Sequence, residues 1–168
     1  MKTINLLLLT VIFFSCSQAQ EKPISKSTES KTMFEIVKTD QEWKQELEPE
    51  AYKTLCGGET ERAFTGKYLN HKAEGTYACA ACKNPLFSSA TKFDSGSGWP
   101  SFFNQIDKGA ILEKIDNSYG MKRIEILCAK CGGHLAHVFE DGPAPTGLRY
   151  CVNSVALGFM PLDSLKTK

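Results

Sequence analysis

"CAKCGGHLAHVF", residues 128–139, decides how this chain folds. Two cysteines stand two residues apart, Gly132-Gly133 follows, and an apolar-rich run continues from His134 to Phe139. A tight turn leading into a short β-type run makes one arm of a hairpin. A matching turn, "CAAC", lies upstream, with 45 residues between Cys82 and Cys128. Two residues between cysteines let both thiolates of one turn point at the same ion. Two such turns complete a tetrahedral site with metal–sulfur distances near ~2.3 Å. Cys79, Cys82, Cys128 and Cys131 therefore read as the ligands of a structural zinc that clamps two distant hairpins. A fully ligated tetrahedral metal keeps no open position, so this is not a catalytic site. Two disulfides and a redox-active CxxC are the competing readings, the first because the chain begins like an exported protein.

Around this stretch the pattern is of short β-type runs with frequent turn residues: "GTYACA", "PLFSS", "ILEKI", "MKRIEIL", "HLAHVF", "LRYCVN" and "VALGF". In "KRIEIL", Ile124 and Ile126 alternate with Arg123 and Glu125, as on a half-buried antiparallel strand. "DSGSGWP" and "EDGPAPTG" are Gly- and Pro-dense loops. Before them, Asp40 can cap a helix through "QEWKQEL", and Pro49 can start a second through "PEAYKTL", closing at Gly57-Gly58. The expected fold is mainly β, of antiparallel strands with a small N-terminal helical layer.

The first residues do not read as part of that fold. Met1-Lys2 precedes the apolar run "INLLLLTVIFF", too short to span a bilayer, which needs about 20 apolar residues. Residues 1–20 fit a secretory signal, with Cys16 in "FFSC" as a candidate lipidated residue; ordinary cleavage near Ala19 is the alternative. Residues 21–38 start rich in Ser, Thr, Lys and Glu and read as a polar linker. A single domain of residues 39–163 remains. Its expected location is outside the bacterial cytoplasm, periplasmic or held to a membrane only by a lipid on Cys16. Of 20 basic and 19 acidic residues, Lys2 leaves with the signal, so the mature chain is formally neutral. The basic footprint of a nucleic-acid binder is absent.

Of seven cysteines, Cys56 and Cys151 have no assigned job. On a strand through "LRYCVNS", Arg149, Cys151 and Asn153 share one face, and Leu148, Tyr150 and Val152 the other. A structural cysteine more often sits among apolar residues, and a neighbouring arginine favours the nucleophilic thiolate. Nucleophile and buried small residue both stay open at this point. His134 and His137 are two of three histidines and can supply a proton near pH 7. Metal ligation and core packing are the alternatives for them. On a regular strand they face opposite ways, so sharing one pocket requires a bend or bulge. Cys56, beside Gly57-Gly58, is either an unreactive loop cysteine or a mobile second thiol.

"KFDSGSGWPSF", "CAKCGGHLAHVFEDGP", "LRYCVNS" and "GTYACAACKNPLFSS" together resemble the B-class methionine sulfoxide reductases, from about Asp40 to Leu162. The resemblance implies two antiparallel sheets, a structural zinc on the four cysteines, and reduction of the R epimer of methionine sulfoxide in proteins or peptides. It implies Cys151 as the nucleophile that attacks the sulfoxide sulfur and leaves as a sulfenic acid. It also implies His134 and His137 as the pair that binds and protonates the oxygen, with Asp141 close by. Trp99 becomes the wall against the S-methyl group, and Arg149 and Asn153 flank the nucleophile. One subclass carries its recycling cysteine where this chain has Ser97. Cys56 is the expected replacement, its disulfide with Cys151 then reduced by thioredoxin or a thioredoxin-like protein. A zinc-ribbon binding module and a cysteine hydrolase are the other function classes. The first has no use for Cys151, Trp99 and two histidines together, and the second gains nothing from Cys56.

Overall fold

The computed structural model describes residues 33–162. The expected signal with Cys16, the first part of the expected linker and the domain's final residue 163 lie outside the described residues. Phe34 and Ile36 fall within the expected linker yet pack on the domain. The Ile36 N–H donates to the Lys130 carbonyl at 2.9 Å, and the Phe34 ring lies against Gly132. The polar stretch ends earlier than its composition suggests, because these two apolar side chains have a surface to cover.

Helix α1 (Asp40–Glu46) is capped by Thr39, one residue before the Asp40 expected from the sequence. Thr39 Oγ1 accepts from the Glu42 N–H at 3.3 Å, and the Glu42 carboxylate accepts from the Thr39 N–H at 2.7 Å. This reciprocal box satisfies two end donors and outcompetes a simple Asp40 cap, at about 1 kcal/mol. Helix α2 (Pro49–Leu55) starts on proline, whose missing N–H costs nothing in a first turn. Trp43, Ala51, Thr54 and Leu55 form the buried side of the pair.

The strands are β1 (Gly75–Cys79), β2 (Pro85–Ser88), β3 (Lys92–Phe93), β4 (Ser101–Phe102), β5 (Ile111–Asp116), β6 (Arg123–Cys128), β7 (His134–Phe139), β8 (Arg149–Val152) and β9 (Leu157–Pro161). They form a three-stranded sheet, β2-β1-β9, and a six-stranded sheet, β3-β4-β8-β7-β6-β5. Every pairing among them is antiparallel. The fold is thus mainly β, in two antiparallel sheets with two short helices, as read from the sequence. The two-residue strands β3 and β4, inside the loop region, left no periodicity to read.

Aromatic rings fill the space between the sheets. Phe87 of β2 stacks on Phe102 of β4 with centroids 4.3 Å apart, and Tyr77 of β1 meets the same ring edge-on at 5.0 Å. Phe87 also reaches Tyr150 of β8. Each such pair adds about 0.5–1.5 kcal/mol beyond its area burial. Tyr150 and Val152 face this core, so the alternation that turns them inward turns Arg149 and Cys151 to the other face. The packed core thereby decides which side of the six-stranded sheet carries chemistry.

Candidate functional site

Two constellations stand out, one formed by the two CxxC turns together and one around Cys151. At the first, Cys79, Cys82, Cys128 and Cys131 carry free thiols whose sulfurs all lie within 4.8 Å of one another. Cys79 Sγ is 3.8 Å from Cys131 Sγ, and Cys82 Sγ is 3.5 Å from Cys128 Sγ. Sulfurs around a tetrahedral ion at ~2.3 Å stand about 3.8 Å apart, so the four cysteines fit such an ion. The two turns match bond for bond. Cys79 N donates to Asn84 O at 2.8 Å and Lys83 N to Cys79 O at 2.9 Å. Cys128 N donates to Gly133 O at 2.9 Å and Gly132 N to Cys128 O at 2.8 Å. The residue after each second cysteine takes positive φ, 62° at Lys83 and 75° at Gly132. Glycine suits that conformation, whereas Lys83 holds it under the turn's own hydrogen bonds. Asn84 Nδ2 reaches Cys128 Sγ at 3.6 Å and Ala110 O at 3.2 Å, orienting one thiol from outside the set.

At the second, register brings distant residues into one row. Cys151 pairs with His137 across β7–β8 and with Ser101 across β4–β8, and His137 pairs with Glu125 across β6–β7. Directly opposed residues point to the same face. His134 joins that face through a bulge: Ile126 pairs with Ala136 but Leu127 pairs with His134, so Leu135 is the extra residue. The histidine rings come within 5.8 Å, centroid to centroid. The bulge needed for both to share a site lies at Leu135. Leu135 itself is fully buried in the core.

Thr60, Trp99, His137, Phe139, Cys151 and Asn153 line a cleft of ≈ 110 Å³, with Arg123 and Ala136 at its wall. Trp99 Nε1 donates to Glu61 O at 3.1 Å, which fixes the indole edge. Gly98 has φ +92°, and a Cβ there would meet Ala63 at 2.9 Å, so only glycine lets this loop close over. Asn153, fully buried, donates from Nδ2 to Leu135 O at 3.0 Å and accepts the Glu61 N–H at 3.0 Å. One amide proton is left over for the cleft. Arg149 holds Asp141 through two bonds, 2.8 and 2.9 Å, and lies 4.4 Å over the Phe139 ring. Asp141 is thus tied to Arg149 and does not itself line the cleft.

The electrostatics of Cys151 differ from the expectation drawn from its arginine neighbour. Burial pushes the thiol up, against the downward pull of Ser97, Arg149 and Ser101. The arginine is present, but at 8 % exposure desolvation outweighs it. His137 is likewise pushed down by burial, with the Asp116 hydrogen bond opposing.

Three residues that sequence reasoning passed over hold the histidines. His134 Nδ1 is 2.7 Å from Glu125 Oε1, and His137 Nε2 is 2.8 Å from Asp116 Oδ2. Arg123 Nη2 donates to the same Asp116 oxygen at 2.7 Å. Bonds from Ser118, then His137 and Arg123, draw the Asp116 carboxyl below the usual carboxylate range. Arg123 and Glu125 were visible as the polar face of β6; only strand pairing tells which histidine each meets. His134 Nε2 is buried with no hydrogen-bond partner among the described residues.

Cys56 is placed elsewhere. It is the exposed C-cap of α2 and lines a cleft of ≈ 200 Å³ with Trp43, Cys131 and Gly132, beside the four-cysteine cluster. It does not line the Cys151 cleft. Four residues later, Thr60 does.

Comparison with known proteins bears on both constellations. A SelR domain matches residues 47–161. The chain is 57% identical over 126 residues to the peptide methionine sulfoxide reductase MsrB of Thiobacillus denitrificans, covering 75% of this chain and 96% of that protein. It is 56% identical over 126 residues to the protein of that name from Leptospira interrogans, covering 75% and 96%. With that of Methanosarcina mazei it shares 56% over 124 residues, covering 74% and 89%.

Proposed function

Because the chain belongs to the B-class methionine sulfoxide reductases, we propose that its Cys151 cleft reduces the R epimer of methionine sulfoxide in peptides and oxidised proteins. The observation that carries this reading is the cleft itself: one thiol with an indole, an imidazole and a free amide proton around it. The S-methyl group lies against Trp99, an apolar contact. The sulfoxide oxygen faces the polar side, where His137, His134 and Asn153 supply protons and hydrogen bonds. Cys151 thiolate attacks the sulfoxide sulfur. The substrate sulfur gains two electrons and becomes the thioether, while Cys151 loses two and carries the oxygen as a sulfenic acid. Protonation by histidine makes the oxygen easier to transfer. Arg149, held by Asp141, favours the thiolate at the start of the step.

Cys56 is the resolving thiol of this scheme. Its thiolate attacks the Cys151 sulfur, the S–O bond breaks, and the oxygen takes a proton from His137 to leave as water; the resulting Cys56–Cys151 disulfide is reduced by a thioredoxin-like dithiol. Its seat beside the metal cluster means that the segment up to Thr60 must rearrange first. Five residues extend at most about 17 Å, so a hinge at Glu61 gives the thiol considerable reach. The four-cysteine cluster takes zinc, by the softness of its donor set and its closed tetrahedral shape. Residues 1–20 export the chain, with Cys16 as the lipid anchor. No helix among the described residues is long and apolar enough to cross a membrane.

The test is a methionine sulfoxide peptide resolved into epimers. The R form alone is reduced, and Cys151→Ser abolishes the reaction. Equal turnover of both epimers, or an active variant, overturns the reading.

A further inference from the structure

Cys151 touches a run of hydroxyls that the scheme above does not use. Ser97 Oγ lies 3.6 Å from Cys151 Sγ, and Ser95 Oγ lies 2.8 Å from Ser97 Oγ. Ser95 Oγ is also 2.7 Å from Ser101 Oγ, and Ser101 Oγ is 3.2 Å from the carbonyl of Trp99. Ser101 is fully buried on β4, opposite Cys151. The line therefore runs from the sulfur through three serines to the backbone of the indole residue.

Each hydroxyl has one proton to give, and a carbonyl has none. With Cys151 as the thiol, four protons serve four links, and the chain has one direction. S–H donates to Ser97, Ser97 to Ser95, Ser95 to Ser101, and Ser101 to Trp99 O. With Cys151 as the thiolate, the sulfur can only accept. Three protons then serve three links in the opposite direction: Ser101 to Ser95, Ser95 to Ser97, and Ser97 to sulfur. Rotation of three hydroxyls, with no movement of heavy atoms, is enough to reverse the line.

We propose that Ser95, Ser97 and Ser101 form a hydrogen-bond relay that reverses when Cys151 ionises and so holds the nucleophile as its thiolate. Ser97 meets the reacting sulfur at 3.6 Å, and Arg149 and Ser101 add further pulls on it. Ser95 is a positioning residue, because by donating to Ser97 it leaves the Ser97 proton free for the sulfur. Aligned donors polarise one another, so the line acts as more than its last bond. In this buried site the relay offsets part of the desolvation that opposes the thiolate. It rests on the reading of Cys151 as the nucleophile. The charged and titratable groups around that sulfur are Arg149 with Asp141 on its own side, and His137 with Asp116 and Arg123 across the sheet. Asp94, in the serine loop, is turned back to the Gly96 N–H at 3.0 Å.

The test is the pH titration of Cys151 alkylation, followed by peptide mass spectrometry in the metal-loaded protein carrying Cys56→Ser. No sulfoxide is present, so the result stands apart from the activity assay. Relative to that background, Ser97→Ala lowers the thiolate fraction at pH 7 about tenfold, the worth of one hydrogen bond to a charged group. Ser95→Ala, which removes no contact with the sulfur, lowers it about threefold through the lost alignment. Ser97→Thr and Ser95→Thr keep the hydroxyl and titrate like the background. An unshifted Ser95→Ala midpoint overturns the relay, whatever Ser97→Ala does. If Ser97→Ala does not fold, the comparison of Ser95→Ala with Ser95→Thr decides alone.

Discussion

The four-cysteine cluster and the Cys151 cleft are built on the same sheets by opposite means. The cluster is two copies of one local turn, each closed by its own pair of backbone hydrogen bonds. The Cys151 cleft has no local unit. It takes Trp99 from a loop, His137 from β7, Cys151 and Asn153 from β8 and just beyond it, and Thr60 from the segment after α2. One consequence is robustness: each turn of the cluster is set by a few adjacent residues. The cleft instead depends on register across four strands and on a single bulge. The hairpins that carry the four cysteines continue into strands that carry the cleft, so a metal bound at the local device would also brace the distributed one.

The largest expected effect breaks the cluster. Chelation, or Cys79→Ser, lowers the stability of the domain by at least about 3 kcal/mol, because metal binding and folding are linked. Denaturant unfolding with and without chelator measures it. Retained stability would mean that the sheets stand without the clamp. Cys151→Ser, by contrast, leaves the unfolding midpoint within about 1 kcal/mol while removing all activity.

Cys56 connects the two regions, since it sits at the cluster and is asked to act at the cleft. Cys56→Ser should abolish multiple turnover with a thioredoxin-like dithiol while leaving a single turnover per enzyme. Stopped-assay counts of methionine per enzyme separate the two cases. Unchanged turnover with the protein reductant would leave Cys56 with only its place beside Cys131.

Asp116→Asn gives a smaller effect, confined to the cleft. Its carboxylate holds His137 Nε2 and raises the affinity of that ring for a proton. Without it the His137 pKa falls further below its ordinary value. A proton donor is lost as pH rises through its pKa, so the alkaline limb of the single-turnover rate moves to lower pH. The rate at pH 7 falls about tenfold, less than the ~10²–10⁴-fold a positioned acid supplies in full, because the imidazole itself stays in place. The same variant also tests stability. A carboxyl held below its usual value stabilises the fold above pH ~4, and that contribution fades as pH falls. Asp116→Asn should therefore flatten the acid side of the stability profile.

The β-runs, the two helices and the CxxC pair were legible because each is encoded within about ten adjacent residues. "KRIEIL" alternates and is β6; "PEAYKTL" starts on proline and is α2. The cap of α1 was misplaced by one residue, since Thr39 forms a reciprocal box that a lone Asp40 cannot match. In the site, alternation along "LRYCVNS" was enough to place Arg149 and Cys151 together, away from Tyr150 and Val152. The ionisation of Cys151 was not legible. Arginine's attraction can be read from adjacency, but desolvation depends on what covers the thiol.

The chain's own order thus settled everything that repeats at short range: strand faces, turn chemistry, and four thiols in two matching turns. Strand pairing and burial decided the rest. They bring Glu125 to His134 and Asp116 to His137, turn His134 through the Leu135 bulge, and seat Cys56 beside Cys131 rather than Cys151. The physical reason is one of range. Backbone geometry acts between neighbours, whereas hydrogen-bond partners and desolvation are set by residues that meet only when the sheets close.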